Sequence, residues 1–360
     1  MKYRLILAGM LFSIISHAQS NPRLIPAIKS DVVWNGVTVS DDGRVFVCFP
    51  RLEGDAGMRI GEVKPGGKIV PYPDATWNSW KTGDEVKNKI IRANSLRIGP
   101  DGKLWIVDTG APKLGEKALP DGCKLIEIDL TNNKVTRTIQ LNDIMKPNSF
   151  IDDLRIYGST IYLTDAGEPA LVVVNKETGK GRRVMENQPA VTDTIPMFAE
   201  GKVMRTNDGK DLHINADQLE ISPDGKYLYF QPASGSSLSR IETKYLKDPE
   251  LKAKQLSMHV VKWAQTATTG GTAIDSQGNI YASDVNHLQI IKITPKGIKS
   301  VVIKDNRLLW CDALWIDKKG YLWMPCGQIN RLAAFQNGVS KVKYPVHIYK
   351  MQIHAKPFRS

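Results

Sequence analysis

The sequence predicts an all-β fold, a six-bladed β-propeller with four antiparallel strands per blade. Three observations predict it. A hairpin-like segment recurs six times along the chain. Successive copies stand 59, 58, 65, 53 and 42 residues apart. Each copy is followed by two further short stretches with Gly, Asn or Pro at the reversal. A strand-built unit with a period near fifty cannot bury both faces of its own sheet, and stacking copies around an axis solves that problem. The clearest copy, residues 94–110, reads NSLRIGPDGKLWIVDTG. It is an apolar strand, a Pro-Asp-Gly turn and a strand rich in Leu, Trp, Ile and Val.

The copies share one register. With Asn35, Asn94, Asp152, Asp217, Gly270 and Asp312 taken as equivalent stations, an apolar residue sits four further on: Val39, Ile98, Ile156, Ile221, Ile274 and Ile316. A turn glycine sits eight further on in five copies: Gly43, Gly102, Gly225, Gly278 and Gly320. The third copy is shorter, with Gly158 in its turn. The inner strands carry Phe46, Trp105, Tyr162, Tyr229, Tyr281 and Trp323 at corresponding places, which reads as packing between blades.

Taken in order, residues 1–18 read as a signal peptide: Lys2 and Arg4, an apolar LILAGMLFSII run, and Ser16-His17-Ala18 as a small-x-small cleavage site. An uncleaved anchor is the alternative. The run is too short to span a bilayer and no later segment approaches that length, so no transmembrane segment is expected. Residues 19–30 read as a lead along the outside, 31–352 as the propeller and 353–360 as a tail. In blade one, MRIGEVKPGGKIVPYP supplies the outer strands; in blade two, KLIEIDLTNNKVTRTIQL; in blade three, ALVVVNKETGKGRRVM. Blade four has SLSRIETKYL and HVVKWAQ, blade five QIIKITPKGIKSVVI, and blade six RLAAFQNGVSKVKYPVHIYKM. Two long links, 187–212 and 242–257, are read as lids or side decorations.

The formal charge is +12, and removing Lys2 and Arg4 leaves +10. The basic residues are scattered through turns and strand edges and do not interleave with aromatics, which argues against nucleic acid. Export to the periplasm or outside the cell and a monomeric state are the expectations. Four cysteines suit an oxidising compartment. In the sixth hairpin, pairing Asp317 with Gly320 across the turn brings Cys311 opposite Cys326, and a disulfide is expected there. Cys48 and Cys123 show no such register.

The stations carry the functional reading. Each starts its blade's innermost strand, so the six should ring one mouth of the central channel. Turn chemistry explains one or two Asn or Asp residues at such places; five of six converging on one axis is a hard-oxygen ligand set suited to calcium or magnesium. Asn35, Asn94, Asp217 and Asp312 are the expected metal ligands, with Asp312 and Asp152 as the groups that move a proton or activate water. Gly270, the station without a side chain, is read as a gap that leaves room for substrate. His213 and Ser234 are the other expected small-molecule contacts. Asp108, Asp165 and Asp284 end the returning strands as a weaker second ring. GxSxG, HExxH and P-loop motifs are absent.

Several stretches resemble the yellow / major royal jelly protein family: GRVFVCFPR at Gly43, PYPDATWNSW at Pro71, KLWIVDTG at Lys103, then IYLTDAG, SPDGKYLYFQPASG and GYLWMPCGQINRL. The resemblance runs in order from about residue 31 to 335 and implies a secreted six-bladed propeller. The family's functions diverge, some insect members being linked to dopachrome conversion and others to small-ligand binding, and it offers no shared catalytic motif. A more distant resemblance is to the SMP-30 / gluconolactonase propellers, which hydrolyse lactones with a divalent metal. It implies that Asn94, Asp217 and Asp312 hold the metal, with Asp312 as general base; Asn35 stands where a Glu is expected and Asp217 where an Asn is. The expected function is binding, with or without transformation, of a small polar molecule at the channel mouth. The alternatives are a metal-dependent lactonase-like hydrolase and a non-catalytic binding or scaffold propeller.

Overall fold

The computed structural model describes residues 21–360. The expected signal peptide lies outside the described residues. The rest folds as six antiparallel four-stranded sheets. Blade one is built from Gly36–Val39, Val45–Cys48, Ile60–Val63 and Ile69–Pro71, and blade two from Ala93–Ile98, Leu104–Asp108, Lys124–Asp129 and Lys134–Gln140. Blade three follows with Ile151–Tyr157, Thr160–Asp165, Ala170–Asn175 and Gly181–Val184. Blade four has Ala216–Ile221, Tyr227–Pro232, Ser237–Glu242 and Val261–Gln265, and blade five Thr269–Ile274, Ile280–Asp284, Gln289–Ile293 and Lys299–Lys304. The inner strands touch in sequence around the axis. A parallel bridge between Gly36 and Ala313, with Ala313 N–H donating to Asn35 O at 3.1 Å, closes the circle.

Blade six differs from the sequence reading. Its own chain supplies Trp315–Ile316, Tyr321–Cys326 and Val346–Gln352. The fourth, outermost strand is Ile25–Ser30, paired antiparallel to Val346–Gln352. The segment read as an external lead is thus part of the ring, and the RLAAF start of the stretch read as strand falls in two short 3₁₀ turns instead, Ile329–Arg331 and Ala333–Phe335. The reason is closure: a ring sealed by one chain end against the other needs both ends in one sheet, and an edge strand left unpaired is a liability. Asp305 and Arg307 secure the junction, accepting from Asn21 N–H at 3.0 Å and donating to Asn21 O at 2.8 Å.

The six inner-strand aromatics are all buried, as packing between blades requires. The turn glycines adopt the positive φ that a tight reversal demands, Gly102 at 74° for example. Of the two long links, 242–257 forms two short helices, Thr243–Lys247 and Ala253–Ser257, which bury Leu246 and Leu256 against the blade three–four core. The other, with the small hairpin Phe198–Ala199 and Lys202–Val203, lies over the channel mouth.

Cys311 and Cys326 face each other as an isolated bridge pair and are disulfide-bonded. The hairpin beside them is one residue wider than the simple register, pairing Ile316 with Leu322 and Trp315 with Trp323. An extra residue in the inner strand between Trp315 and Cys311 shifts the register back by one, so the two offsets cancel at the cysteines. Cys48 and Cys123 are free and buried. Peptide mapping of the non-reduced protein should return one cross-linked peptide containing Cys311 and Cys326. Recovery of both as alkylated thiols would contradict the pairing.

Candidate functional site

The stations coincide with β-bulges. In blade two, Ala93 pairs with Asp108 and Ser95 with Val107, so Asn94 is the extra residue. In blade four the same slip between Ala216 and Gln218 leaves Asp217 over. Blades three and five slip between Ile151 and Leu154 and between Thr269 and Thr272, spanning Asp152 and Gly270. In blade one, Asn35 N–H donates to Cys48 O while Gly36 pairs with the same Cys48. A bulge re-aims a side chain out of the ordinary alternation. Here it brings Asn35, Asn94, Asp152, Asp217 and Asp312 to the wall of one cavity.

The ring is stitched by its own amides. Asn35 Nδ2 donates to Asn94 O at 2.6 Å, and Asn94 Nδ2 to Asp152 Oδ1 at 2.5 Å. Gln218 Nε2 donates to Asp217 Oδ1 at 2.8 Å, and Trp310 Nε1 to Asp312 Oδ2 at 3.0 Å. Trp310 is held at φ 51°, an uncommon conformation for a bulky residue. The second ring turns out to be scaffold. Asp108 accepts from the backbone N–H groups of Ile91 and Arg92, and Asp165 from that of Phe150, fixing the chain just ahead of each station.

Below the stations the channel is filled. Asp153 accepts from Ser95, Arg97 and Arg155, and Arg155 forks onto Glu220, which also accepts from Thr272. Only a water-sized void of about 10 Å³ remains on the axis, bounded by Asn94, Asp152, Asp153, Asp217, Gln218 and Asp312. At the far end the tail crosses the turns: Asp275 bridges Pro357, Arg359 Nη1 donates to Ile316 O at 3.0 Å, and its guanidinium stacks on Trp315. The site is therefore a pocket with a floor, not a tunnel.

The mouth cavity holds about 400 Å³, within the range of small-molecule sites. Phe150, Trp310, Phe335, Leu114, Leu212 and Ile329 give it apolar walls over the polar station floor. Burial raises all three station carboxyls. Asp152 is pushed up by burial and by the neighbouring charge of Asp153. Asp217 rises through burial and through Asp152 and Asp312, and Asp312 through burial and Asp152. For Asp153, burial is overridden by Arg155 and Arg97, which hold its carboxyl below the usual range.

Two expected contacts lie elsewhere. Gly270 leaves no gap: a Cβ there would meet Cys311 O at 2.5 Å, so the glycine permits close approach of blades five and six. Ser234 is fully buried and off the cavity wall. Its hydroxyl accepts from Ile214 N–H at 2.9 Å and its carbonyl from Thr194 N–H at 3.0 Å. His213 does line the cavity, and its Nδ1 pairs with Asp193 Oδ2 at 2.5 Å. Asp193 gave no sequence signal, because nothing in its spacing ties it to a histidine twenty residues later.

For a cation the donor chemistry fits in kind. Asn35 Oδ1 is buried without a partner, as is Gln218 Oε1, beside three carboxyls. Among the described residues, no group of three or more His, Cys, Asp and Glu side chains forms a metal-holding cluster. A cation here would need the amide oxygens of Asn35 or Asn94 as ligands.

The family model for major royal jelly protein matches residues 93–357. Protein yellow of Drosophila melanogaster is 26% identical over 222 residues, covering 57% of this chain and 40% of that protein, so the chain matches less than half of its relative's length. Among solved structures, the XC5397 gluconolactonase of Xanthomonas campestris superposes with a TM-score of 0.56 at 12% identity, covering 92% of this chain and 97% of that one. The calcium-binding protein regucalcin of Agrobacterium tumefaciens gives 0.55 at 13%, covering 93% and 96%. At those identities the likeness is one of fold. No helix among the described residues is long and apolar enough to cross a membrane.

Two outcomes follow from the packing and the charges. Gly270→Ala should destabilise the protein by about 1–3 kcal/mol in denaturant unfolding, since the new methyl meets a backbone carbonyl; a wild-type midpoint would contradict the close approach. The raised station carboxyls hold protons in the folded state that the unfolded chain has already released. Their contribution is complete below the ordinary carboxylate range and is lost as pH rises through their folded values. In chelator, thermal stability should therefore fall from mildly acidic toward alkaline pH, and Asp312→Asn should flatten that slope. An equally steep slope in the variant would dissociate it from Asp312.

Proposed function

This chain belongs to the major royal jelly protein family, and from that premise we propose that it is an exported propeller that binds a small molecule at the channel mouth, with a divalent cation on the station floor. The observation that carries the reading is the composition of the mouth cavity: apolar walls over a floor where a buried amide oxygen of Asn35 lacks a partner beside three carboxyls. A ligand with an apolar body and a polar end satisfies both surfaces, and a hard cation such as calcium or magnesium satisfies the floor oxygens.

In this reading Asn35, Asn94, Asp217 and Asp312 hold the cation, whose chemistry is to polarise a substrate oxygen. Trp310 orients Asp312 through its indole N–H. Asp312 or Asp152 accepts or returns a proton; burial raises both carboxyls, Asp152 to about 7, in the range where transfer is efficient. Among the described residues the filled axis leaves the mouth as the route in and out of this pocket. A lactonase-like hydrolysis is the enzymatic version; the propeller likeness supports its scaffold, while Asn35 in place of a glutamate removes one charge from the expected ligand set. The second reading is a binding propeller without catalysis, in which the apolar walls of the cavity carry the recognition.

Calorimetric titration of the chelator-treated protein with calcium and with magnesium separates these readings, followed by a screen of lactones and catechol-derived quinones. Saturable binding should be weakened about tenfold or more by Asp312→Asn, through the loss of a charged ligand. No heat from either cation, with binding of a small molecule retained, leaves the non-catalytic reading. Equal cation affinity in the variant removes Asp312 from the site.

A further inference from the structure

We propose that His213, on the wall of the mouth cavity, forms a proton-transfer dyad with Asp193, with His213 Nε2 as the base toward water or a ligand hydroxyl. The proposal rests on the reading of that cavity as a ligand site. Four features point to it. His213 stands on the cavity wall, at the side rather than the floor. Its Nδ1 is taken by the Asp193 carboxylate at 2.5 Å, which fixes the Nδ1–H tautomer and leaves the lone pair on Nε2. Nε2 has no partner among the described residues. The two loops that carry the pair are fastened together by buried groups.

The fastening is what separates this pair from a chance ion pair on a surface loop. Ser234 N–H donates to Ile214 O at 3.0 Å while its hydroxyl accepts from Ile214 N–H, so the residue after His213 is held from both sides. Ser234 O accepts from Thr194 N–H, the residue after Asp193. Asn215 Oδ1 accepts from Asp193 N–H at 3.1 Å, and its Nδ2 donates to Ala166 O in blade three. Each member of the pair is thus tied to blades three and four, although its own side chain is partly exposed. A base oriented by a carboxylate and held by packed supports is the arrangement general-base chemistry requires. The pair faces a floor whose acids are raised, so a bound ligand would meet a base on one side and proton-bearing groups on another.

The step is tested with 4-nitrophenyl acetate as the probe. Water gives a proton to His213 Nε2 as its oxygen bonds to the acyl carbon; the carbon–oxygen bond to the nitrophenyl group breaks, and the departing 4-nitrophenolate takes that proton back. His213→Gln should lower the rate on the order of 100-fold, and Asp193→Asn should give an intermediate loss. Both residues are partly exposed, so the fold should survive, as circular dichroism would verify. Nitrogen-15 shifts of the His213 ring supply a readout independent of turnover. Neutral wild-type protein should show the Nδ1–H tautomer, and Asp193→Asn should move the population toward Nε2–H. An unchanged rate in His213→Gln, or an Nε2–H tautomer in the wild type, overturns the dyad. Failure of the floor reading would appear separately, as an unaltered cation titration in Asp312→Asn with the His213 tautomer intact.

Discussion

Everything at the mouth depends on one backbone irregularity repeated around the ring. A regular strand sends alternate side chains to opposite faces of its sheet, and in a propeller those faces belong to the neighbouring blades. Breaking the alternation re-aims a side chain toward the mouth. The slips at Asn94, Asp217 and their counterparts break it once per blade, at the same level. The cost is crowding. Where blades five and six approach, Gly270 and Gly271 leave Cβ positions that would meet Cys311 O at 2.5 Å and the Asp312 backbone at 2.6 Å. The same crowding that excludes a side chain at the fifth station brings the other five together, and the disulfide at Cys311 holds the sixth bulge beside Asp312.

The filled channel then decides what kind of site this is. Arg97 and Arg155 pair with Asp153, Arg155 also forks onto Glu220, and the hydroxyls of Ser95 and Thr272 donate to the same two carboxylates. Buried charges of this kind are tolerable because each is paired and bonded. The layer is neutral within itself, two cations against two anions, so it gives the station carboxyls above it no net compensation. It also closes the axis, and so leaves the mouth and the loops that wall it as the open end of the cavity.

The ring count, the stations and the inter-blade aromatics were legible in the sequence because strand period and turn glycines impose the same spacing in every blade. The pairing of Cys311 with Cys326 was legible for a less direct reason: the wider turn and the bulge each displaced the register by one residue in opposite senses. The fourth strand of blade six was not legible, because Ile25–Ser30 pairs with residues more than three hundred positions away and has no repeat partner in sequence. Ser234 and Gly270 were misread since spacing reports where a residue falls along a strand and not which neighbour's backbone lies against it. Asp193 was invisible for the same reason. Its meaning comes from a loop laid across the mouth and from a buried serine that holds that loop to His213.

The floor's electrostatics tie these points together. Asp152, Asp217 and Asp312 are buried within one another's fields, and the cations of the layer beneath are already committed to Asp153 and Glu220. Arg92 is a cation whose charge acts on Asp152. It sits behind Phe150, with one guanidinium nitrogen unpartnered, and burial lowers it to about 10. That charge opposes the rise of Asp152 but is too far committed to the Ala111 carbonyl to neutralise three carboxyls. The upward shifts of the three carboxyls express that shortfall, since burial and neighbouring like charge both disfavour their ionised forms. A group with positive charge, or with donors for those oxygens, would gain the interaction that the fold leaves unmet. The apolar walls strengthen that interaction by excluding water from the floor. A ring that is costly to hold ionised therefore has an unmet demand for positive charge or for hydrogen-bond donors.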